Sequence, residues 1–376
     1  MRNKKIMCII LSLIMALSLM TMYVTAQDTT FVCYEYEASE NSSLQTVTHE
    51  RTHFEFQLQP GADEWAQLNN GERVLALQIP EAILKNMTTE ELVEAVLGYP
   101  LFSNIIFFNS FHEGFRVYAE HFNGFQEILS REDAGRYLFD VYRNFNVEST
   151  MRMRDSKAQF ETFLDLLFIE TLLSQPEISK NMTDGEIAEL LLLVDENFAF
   201  LSNYAEKLPI LTTSAYYESL AIQQGIEPFN IHGTVRTPNG SNVPVIFRTG
   251  VDHAFNNRFA IADMIRRDFP EAVIVGDATI RYNCHAYVFA RRTDFWMNDP
   301  SLYWRDGSCH VQAINAPTRI GQIIWYPGHG NEHSGRVVRL SGNTIRSKWS
   351  ERSLVEHTIG NSPYFFIPLQ VRFYGR

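Results

Sequence analysis

The spacing of apolar residues changes once along this chain, near residue 225. Before that point apolar side chains recur every three or four residues, as in the segment from Leu92 onward, which follows Thr88 and Glu91. This period is typical of amphipathic helices, and Thr followed by Glu three residues later is typical of a capped helix start. Beyond residue 225 apolar residues alternate, which favours strands. We therefore predict a mainly helical domain over residues 27–225 and an α+β domain over residues 226–376.

The second predicted domain contains strands on both sides of two helices. Pro238 to Asn242 is a turn between two alternating runs, and a helix is predicted from Phe255 to Asp268. A cysteine-bearing helix follows, and the remaining chain is predicted to form an antiparallel sheet. Its strands are expected at residues 321–326, 334–340 and 343–349.

The N-terminus has the features of an export signal. The first five residues carry three basic side chains, an apolar run extends from Ile6 to about Met22, and small residues precede Gln27. We predict that residues 1–26 are a cleaved signal peptide and that the mature protein is secreted or cell-wall associated, with no stable membrane anchor. The alternative is an uncleaved anchor, because the apolar run is nearly long enough to span a bilayer.

The two predicted domains differ in charge. Residues 27–225 contain 12 basic and 32 acidic residues, whereas residues 226–376 contain 17 basic and 12 acidic ones. Opposite net charges favour contact between the domains or, for the basic one, an anionic substrate, although unrelated solvated surfaces explain the pattern equally well. The basic excess shows no basic–aromatic stripe, so nucleic acid is not an expected partner. We predict no cofactor.

A ten-residue phrase recurs within the helical half. Residues 83–92 read ILKNMTTEEL and residues 178–187 read ISKNMTDGEI, a displacement of 95 residues. Two copies of a cap-and-helix phrase indicate a helical array built from related halves. The alternative is that the same capping solution arose twice by chance.

Cys284 and His333 are the candidate catalytic pair. Cys284 stands at a predicted helix start after the apolar run from Ala272 to Val275, and His333 opens a predicted strand 49 residues later. A thiol at a helix start beside an imidazole would have a lowered pKa and could act as a nucleophile, with His333 as its base. The alternative is a buried structural thiol.

The cysteine count is compatible with this role. Cys33, Cys284 and Cys309 follow the predicted signal peptide, and an odd number in an exported protein indicates at least one thiol outside a disulfide. If Cys33 pairs with Cys309, Cys284 remains as the reduced thiol. Three reduced thiols are equally compatible with the sequence.

The segment Tyr-Asn-Cys-His-Ala-Tyr-Val from Tyr282 resembles the nucleophile motif of NlpC-like cell-wall cysteine peptidases. Residues 321–326 and 333–338 resemble that family's Gly-Asp strand and histidine strand, so the resemblance covers about residues 275–350. It implies a papain-like α+β fold and a secreted enzyme that cleaves amide bonds in peptidoglycan stem peptides. Two departures from the motif are Asn283 in place of Asp, and His285-Ala286 in place of Ser-Gly.

The third catalytic residue of that family would fall near Ser347, whose hydroxyl could orient the imidazole. Asn343 and His357 are the other candidates. Without a firm third residue, the alternative is a secreted binding protein that retains the fold but is catalytically weak or inactive.

A zinc peptidase is the third possibility. His329 to His333 match the pattern His-x-x-Glu-His. That pattern needs a helix to place both histidines on one face, whereas here it follows Pro-Gly and leads into a predicted strand. We therefore predict no metal site.

Overall fold

The chain changes from helices to antiparallel strands at residue 230, as the change in apolar spacing predicts. The computed structural model describes residues 54–376 except 154, 203–213, 224–229, 249–251, 253–254, 313–317, 328–332, 367–371 and 376. Within these residues the protein is a mixed α/β molecule with antiparallel sheets, which confirms that part of the predicted fold class.

The helical half consists of short helices and two long ones. A 3-10 segment, Phe102–Phe107, lies between the fourth and fifth helices. The helices are α1 (Asp63–Gln67), α2 (Asn70–Ala76), α3 (Glu81–Leu84), α4 (Thr89–Leu97), α5 (Phe111–Ala119), α6 (Asn123–Ser130), α7 (Ala134–Arg143), α8 (Val147–Met151), α9 (Ser156–Leu173), α10 (Pro176–Ser179), α11 (Asp184–Ser202) and α12 (Ala215–Gln223).

The repeated phrase forms the same local structure in both places. In each copy a four-residue helix, α3 or α10, precedes a helix that begins after a threonine. Thr88 and Glu91 exchange hydrogen bonds in a capping box, and Thr183 and Glu186 do the same. Each box satisfies backbone N–H groups that a helix start would otherwise leave unpaired. The relationship between the two halves stays a prediction.

Within the described residues beyond 229 the chain forms nine strands and two α-helices. Strands β1 (Asn230–Arg236) and β2 (Asn242–Arg248) form a separate antiparallel hairpin. A seven-stranded sheet has the order β3-β8-β7-β6-β5-β9-β4. Its strands are β3 (Val273–Gly276), β4 (His310–Gln312), β5 (Ile323–Tyr326), β6 (His333–Arg339), β7 (Thr344–Lys348), β8 (Leu354–His357) and β9 (Arg372–Gly375); the helices are α13 (Phe255–Asp268) and α14 (Leu302–Arg305).

The two faces of the large sheet pack against different parts of the chain. Along β5, Ile324 and Tyr326 belong to a core shared with the helical half, whereas Ile323 and Trp325 belong to a second core. Successive residues of a strand point to opposite faces, so each face has its own cover. We call these the helical face and the hairpin face, because the second core includes residues of β2 and of the segment that carries the cysteine.

The helical half and the sheet share one continuous core. Trp65 Nε1–H donates to the carbonyl oxygen of Asp268 at 2.8 Å, and the buried guanidinium of Arg73 donates to the same oxygen at 2.8 Å. A single cluster of buried apolar residues extends from Phe56 to Tyr364. The division into domains at residues 225 and 226 stays a prediction. None of the helices in the described residues is both long and apolar enough to span a membrane.

Candidate functional site

Asn283 shapes the backbone that presents the candidate nucleophile. Its side-chain oxygen accepts hydrogen bonds from the backbone N–H groups of Ala286 at 3.2 Å and Met297 at 3.1 Å, and its amide donates to the Met297 carbonyl at 2.9 Å. The first of these bonds is an N-cap interaction, so Cys284 is the first residue of the helical turn that leads into the π-helix Ala286–Ala290. The predicted helix start at Cys284 is confirmed.

The sulfur of Cys284 lies 3.6 Å from Nδ1 of His285. The same ring nitrogen is 2.9 Å from the hydroxyl of Ser334, the second residue of β6. The His285 ring also stacks on Trp325 of β5, with ring centroids 5.0 Å apart. Cys284, His285 and Ser334 therefore form one cluster on the hairpin face, and we call it the thiol cluster.

The thiol of Cys284 is protonated at neutral pH in this conformation. Its side chain is 2 % exposed, and burial raises its pKa to about 11. Hydrogen bonds from Ser334, through its backbone and its side chain, act in the opposite direction, as do those from the backbone of His285 and Cys284. The donors expected around a thiolate are present, but burial outweighs their effect.

His333 lies on the opposite face of the sheet from Ser334. It is the first residue of β6, it is 2 % exposed, and its ring stacks on Tyr364 with centroids 3.5 Å apart and planes within 6°. Burial lowers its pKa well below the usual value, and its buried Nε2 has no hydrogen-bond partner among the described residues. Among the described residues no hydrogen bond joins His333 to Cys284, so the structure brings Cys284 to His285 rather than to the predicted base.

Ser347 contacts a different histidine from the one predicted. The close backbone contact of His357 Nδ1 with the Thr358 carbonyl, at 2.7 Å, means that Nδ1 carries the proton. Nε2 of His357 therefore accepts from the Ser347 hydroxyl at 2.7 Å, and that hydroxyl accepts from Trp349 Nε1–H at 3.1 Å. All three lie on the helical face, where Ser347 supports His357. Asn343 is exposed in the turn before β7.

Lys348 is a buried cation that the sequence analysis did not single out. It follows Ser347 and so lies on the hairpin face with Ser334. Its ammonium is fully buried, donates to the carbonyl oxygens of Thr279 at 3.0 Å, Ser350 at 2.7 Å and Arg352 at 2.5 Å, and lies 5.0 Å from the Tyr282 ring centroid. Lys348 thus ties the segment that leads to Cys284 to the sheet. Strand alternation places Lys348 on the opposite face from Ser347. The sequence does not show which of the two faces the cysteine helix covers, and so it could not place Lys348 beside that helix.

Of the zinc pattern His329 to His333, only His333 lies within the described residues. His333 opens a strand, His329 is outside the described residues, and within the described ranges no group of three or more His, Cys, Asp or Glu side chains could hold a metal ion. Cys33 is also outside those ranges, and Cys309 is buried in the second core.

The comparisons with known proteins show no relative. No protein family matches this chain, and neither a curated protein nor a solved structure is significantly similar to it.

Proposed function

We propose that this protein is a thiol-dependent amide hydrolase with Cys284 as its nucleophile. One observation carries the proposal: the Cys284 sulfur lies 3.6 Å from an imidazole nitrogen at the start of a helical turn, with Ser334 beside both groups. A nucleophile, a base and a further polar residue within contact distance are the elements of nucleophilic catalysis. The resemblance of residues 282–288 to NlpC-like peptidases adds a papain-like fold, secretion, and peptidoglycan stem peptides as the substrate.

In this reaction the imidazole takes the thiol proton and the sulfur attacks the amide carbonyl. The C–N bond then breaks as the imidazolium returns its proton to the leaving amine, and water hydrolyses the resulting thioester. The backbone N–H groups near the sulfur are the donors available to the oxyanion. For the thiolate to form near neutral pH, the thiol cluster must become more accessible than it is in this conformation, because burial holds the Cys284 pKa at about 11.

The base in the proposal is His285. Adjacent helical side chains seldom face each other, which argues against His285 from sequence alone. In the structure, however, Nδ1 of His285 lies 3.6 Å from the Cys284 sulfur. Ser334 approaches the same ring nitrogen as Cys284, so its hydroxyl competes for Nδ1. His333 stays a sequence-based prediction for the base.

A non-enzymatic binding protein is the second candidate, and a specific observation favours it. Cys284 is almost fully buried, and His333 is packed under Tyr364. These are properties of core residues. In that case the thiol cluster stabilises the fold, and the cysteine has no chemical role.

Hydrolysis of peptidoglycan-derived peptides by the full chain distinguishes the candidates. We expect Cys284→Ala to abolish release of new amino groups and His285→Ala to lower kcat by about 10²-fold or more, because it removes the general base. His333→Ala tests the sequence-based alternative.

Exposed His232 of β1 offers a matched control, since His232→Ala also removes an imidazole, but one that makes none of the described contacts with Cys284, His285 or Ser334. Full activity of Cys284→Ala would refute the thiol mechanism. Full activity of His285→Ala together with loss in His333→Ala would return the role of base to His333. No turnover by the wild type would favour the binding protein.

A further inference from the structure

Residues 359–366, which follow β8, lie between the sheet and the helical half, and we call them the strap. Tyr364 of the strap stacks on His333 at 3.5 Å. At the end of β5, the Tyr326 hydroxyl donates to the Ile359 carbonyl at 3.2 Å. Tyr326 and His333 are paired across β5 and β6, so the strap holds the ends of both strands.

The helical half holds the strap from the other side. Asn70 donates from its backbone N–H to the Gly360 carbonyl at 3.0 Å and from its side chain to the Phe365 carbonyl at 3.0 Å. The Tyr364 hydroxyl donates to the carbonyl of Phe107, and Phe366 stacks on His121 with centroids 4.2 Å apart. These contacts come from α2, from the 3-10 segment Phe102–Phe107 and from the turn between α5 and α6.

The strap is therefore bound at both of its surfaces. The strand ends that it holds lie next to the thiol cluster, because His333 under Tyr364 and Ser334 beside Cys284 are consecutive residues of β6. A movement of the helical half that released the strap would remove the packing on His333 at the start of β6 and so loosen the adjacent contacts of the Ser334 side chain with His285 and the sulfur, while β6 stays paired with β5.

We infer that the strap is an inhibitory segment, through which the helical half keeps the thiol cluster closed. This inference rests on the proposed function, since it assigns a regulatory role to the burial of the same cysteine. Opening requires that the contacts of residues 359–366 with the helical half be broken, and these involve Asn70, Phe107, Phe108, Tyr118 and His121. The sheet itself stays intact.

The chain offers a minimal way to disturb these contacts. A Cβ at Gly360 would lie 2.9 Å from Cβ of Asn69. Real Cβ atoms essentially never come this close to another heavy atom, so one of the two residues must move. Asn69 cannot easily yield, because it is the N-cap of α2 and exchanges hydrogen bonds with Glu72 in a capping box. Gly360→Ala therefore forces the strap away from the helical half while every side chain of the thiol cluster is unchanged.

The test measures alkylation of Cys284 by iodoacetamide in the folded full chain, located by mass spectrometry. We expect Gly360→Ala to increase the rate at Cys284 about tenfold, because local opening of a buried thiol limits its labelling. Tyr364→Phe, which keeps the ring stack and removes only the hydroxyl bound to Phe107, is a milder second variant that preserves folding if Gly360→Ala does not. It should increase the same rate by a smaller factor.

Gly135→Ala is the matched control. A Cβ there would lie 2.7 Å from Cγ of Met182, so it is a wedge of the same size in the helical half, away from the strap. It should leave the Cys284 rate unchanged. The inference would be overturned if both strap variants were labelled at the wild-type rate. It would also be overturned if Gly135→Ala increased the labelling rate equally, because global destabilisation would then explain the increase.

The two proposals fail in different ways. If Cys284 is labelled faster in the strap variants but no peptide is hydrolysed, the proposed hydrolase activity is refuted. The inference that the strap encloses the thiol cluster then still stands. Rapid hydrolysis by the wild type, with Cys284 labelled at the same rate in wild type and strap variants, would refute the strap and leave the hydrolase.

Discussion

At the scale of single residues, Lys348 shows how much the site depends on buried polar groups. Burial lowers the pKa of its ammonium well below the usual value, yet three carbonyl oxygens accept from it. An ammonium has three protons to donate, so this geometry satisfies all of them. Thr279, one of the acceptors, is five residues before Cys284, and the cation therefore helps to set the path of the chain into the thiol cluster.

We expect Lys348→Met to lower the free energy of unfolding by about 3 kcal/mol or more, because it leaves buried carbonyl oxygens without donors. Methionine keeps most of the side-chain volume, so the loss reports hydrogen bonds rather than a cavity. Urea denaturation followed by tryptophan fluorescence measures it.

Arg266→Met provides the comparison for Lys348→Met, because Arg266 is a cation of α13 with an exposed ion pair to Asp263. Its effect should stay within about 0.5 kcal/mol. Equal effects of the two substitutions would show that the carbonyl contacts of Lys348 contribute little.

Residue-level features of the site were only partly predictable. The helix start at Cys284 follows from local signals, namely an apolar run, a polar Asn283 and a new helical segment. The partner of Cys284 does not, because it depends on which face of β6 the cysteine helix packs against. If the cysteine helix packs on one face of β6, its neighbour is His333; if it packs on the other face, its neighbour is Ser334. The sequence of β6 does not show which face the helix covers.

At the scale of elements, the strands β6, β7 and β8 bring two buried histidines to the helical face. His357 is paired with Ile345 of β7 and accepts a hydrogen bond from Ser347. A proton on His357 would repel one on His333, which adds to the effect of burial in lowering the pKa of His333. Burial lowers the pKa of His357 to about 4 and that of His333 well below its usual value. Both rings are neutral in the folded protein at neutral pH.

This arrangement predicts a loss of stability in mild acid. An unfolded histidine binds a proton near pH 6.5, whereas His357 in the folded protein does so only near pH 4. The unfolded state therefore binds more protons between these values, and the contribution of His357 falls by about 3 kcal/mol as the pH is lowered through this window.

The measurement is the free energy of unfolding of wild type and His357→Gln at intervals from pH 7 to pH 4. A comparison is needed because burial raises the pKa of Glu218 to about 7, and protonation of that carboxylate in the folded state has the opposite sign. We expect His357→Gln to have a lower free energy of unfolding than the wild type at pH 7. Between pH 7 and pH 4, however, this free energy should fall less in the variant than in the wild type. Parallel curves would contradict the role of His357.

The boundaries of elements were largely predictable. Helix α13 coincides with its predicted range, strands β5 to β7 agree with theirs to within two residues, and the caps at Thr88 and Thr183 begin the helices expected of them. These features depend on neighbours in sequence. The order of strands could not be predicted, since β9 lies between β5 and β4, and β3 pairs with β8. Such pairings depend on the surfaces of distant segments.

At the scale of the whole molecule, helices and sheet stabilise each other. Phe107 packs edge-on against Trp349, and Arg352 donates to the Ile106 carbonyl at 3.1 Å. With the contacts of Trp65 and Arg73 to Asp268 at the end of α13, these interactions join the helical half to residues beyond 230 in several places.

We therefore expect residues 54–376 to unfold in one cooperative transition. Far-ultraviolet circular dichroism, which mainly follows the helices, and tryptophan fluorescence, to which residues 226–376 contribute four of the five tryptophans, should give the same urea midpoint. Two separated midpoints would show that residues 27–225 and 226–376 are independent domains, as their charges and apolar spacing suggest.

The position of the strap has a consequence for the synthesis of this protein. A ribosome completes the aromatic segment Phe102–Phe107 about 250 residues before it makes Tyr364, whose hydroxyl reaches Phe107, and β9 is later still. During that interval the helices carry an apolar surface whose natural cover does not yet exist. Exposed apolar surface of this kind makes a nascent chain prone to aggregate. The contacts that enclose the cysteine in the finished protein therefore leave the unfinished chain with the kind of surface that chaperones bind.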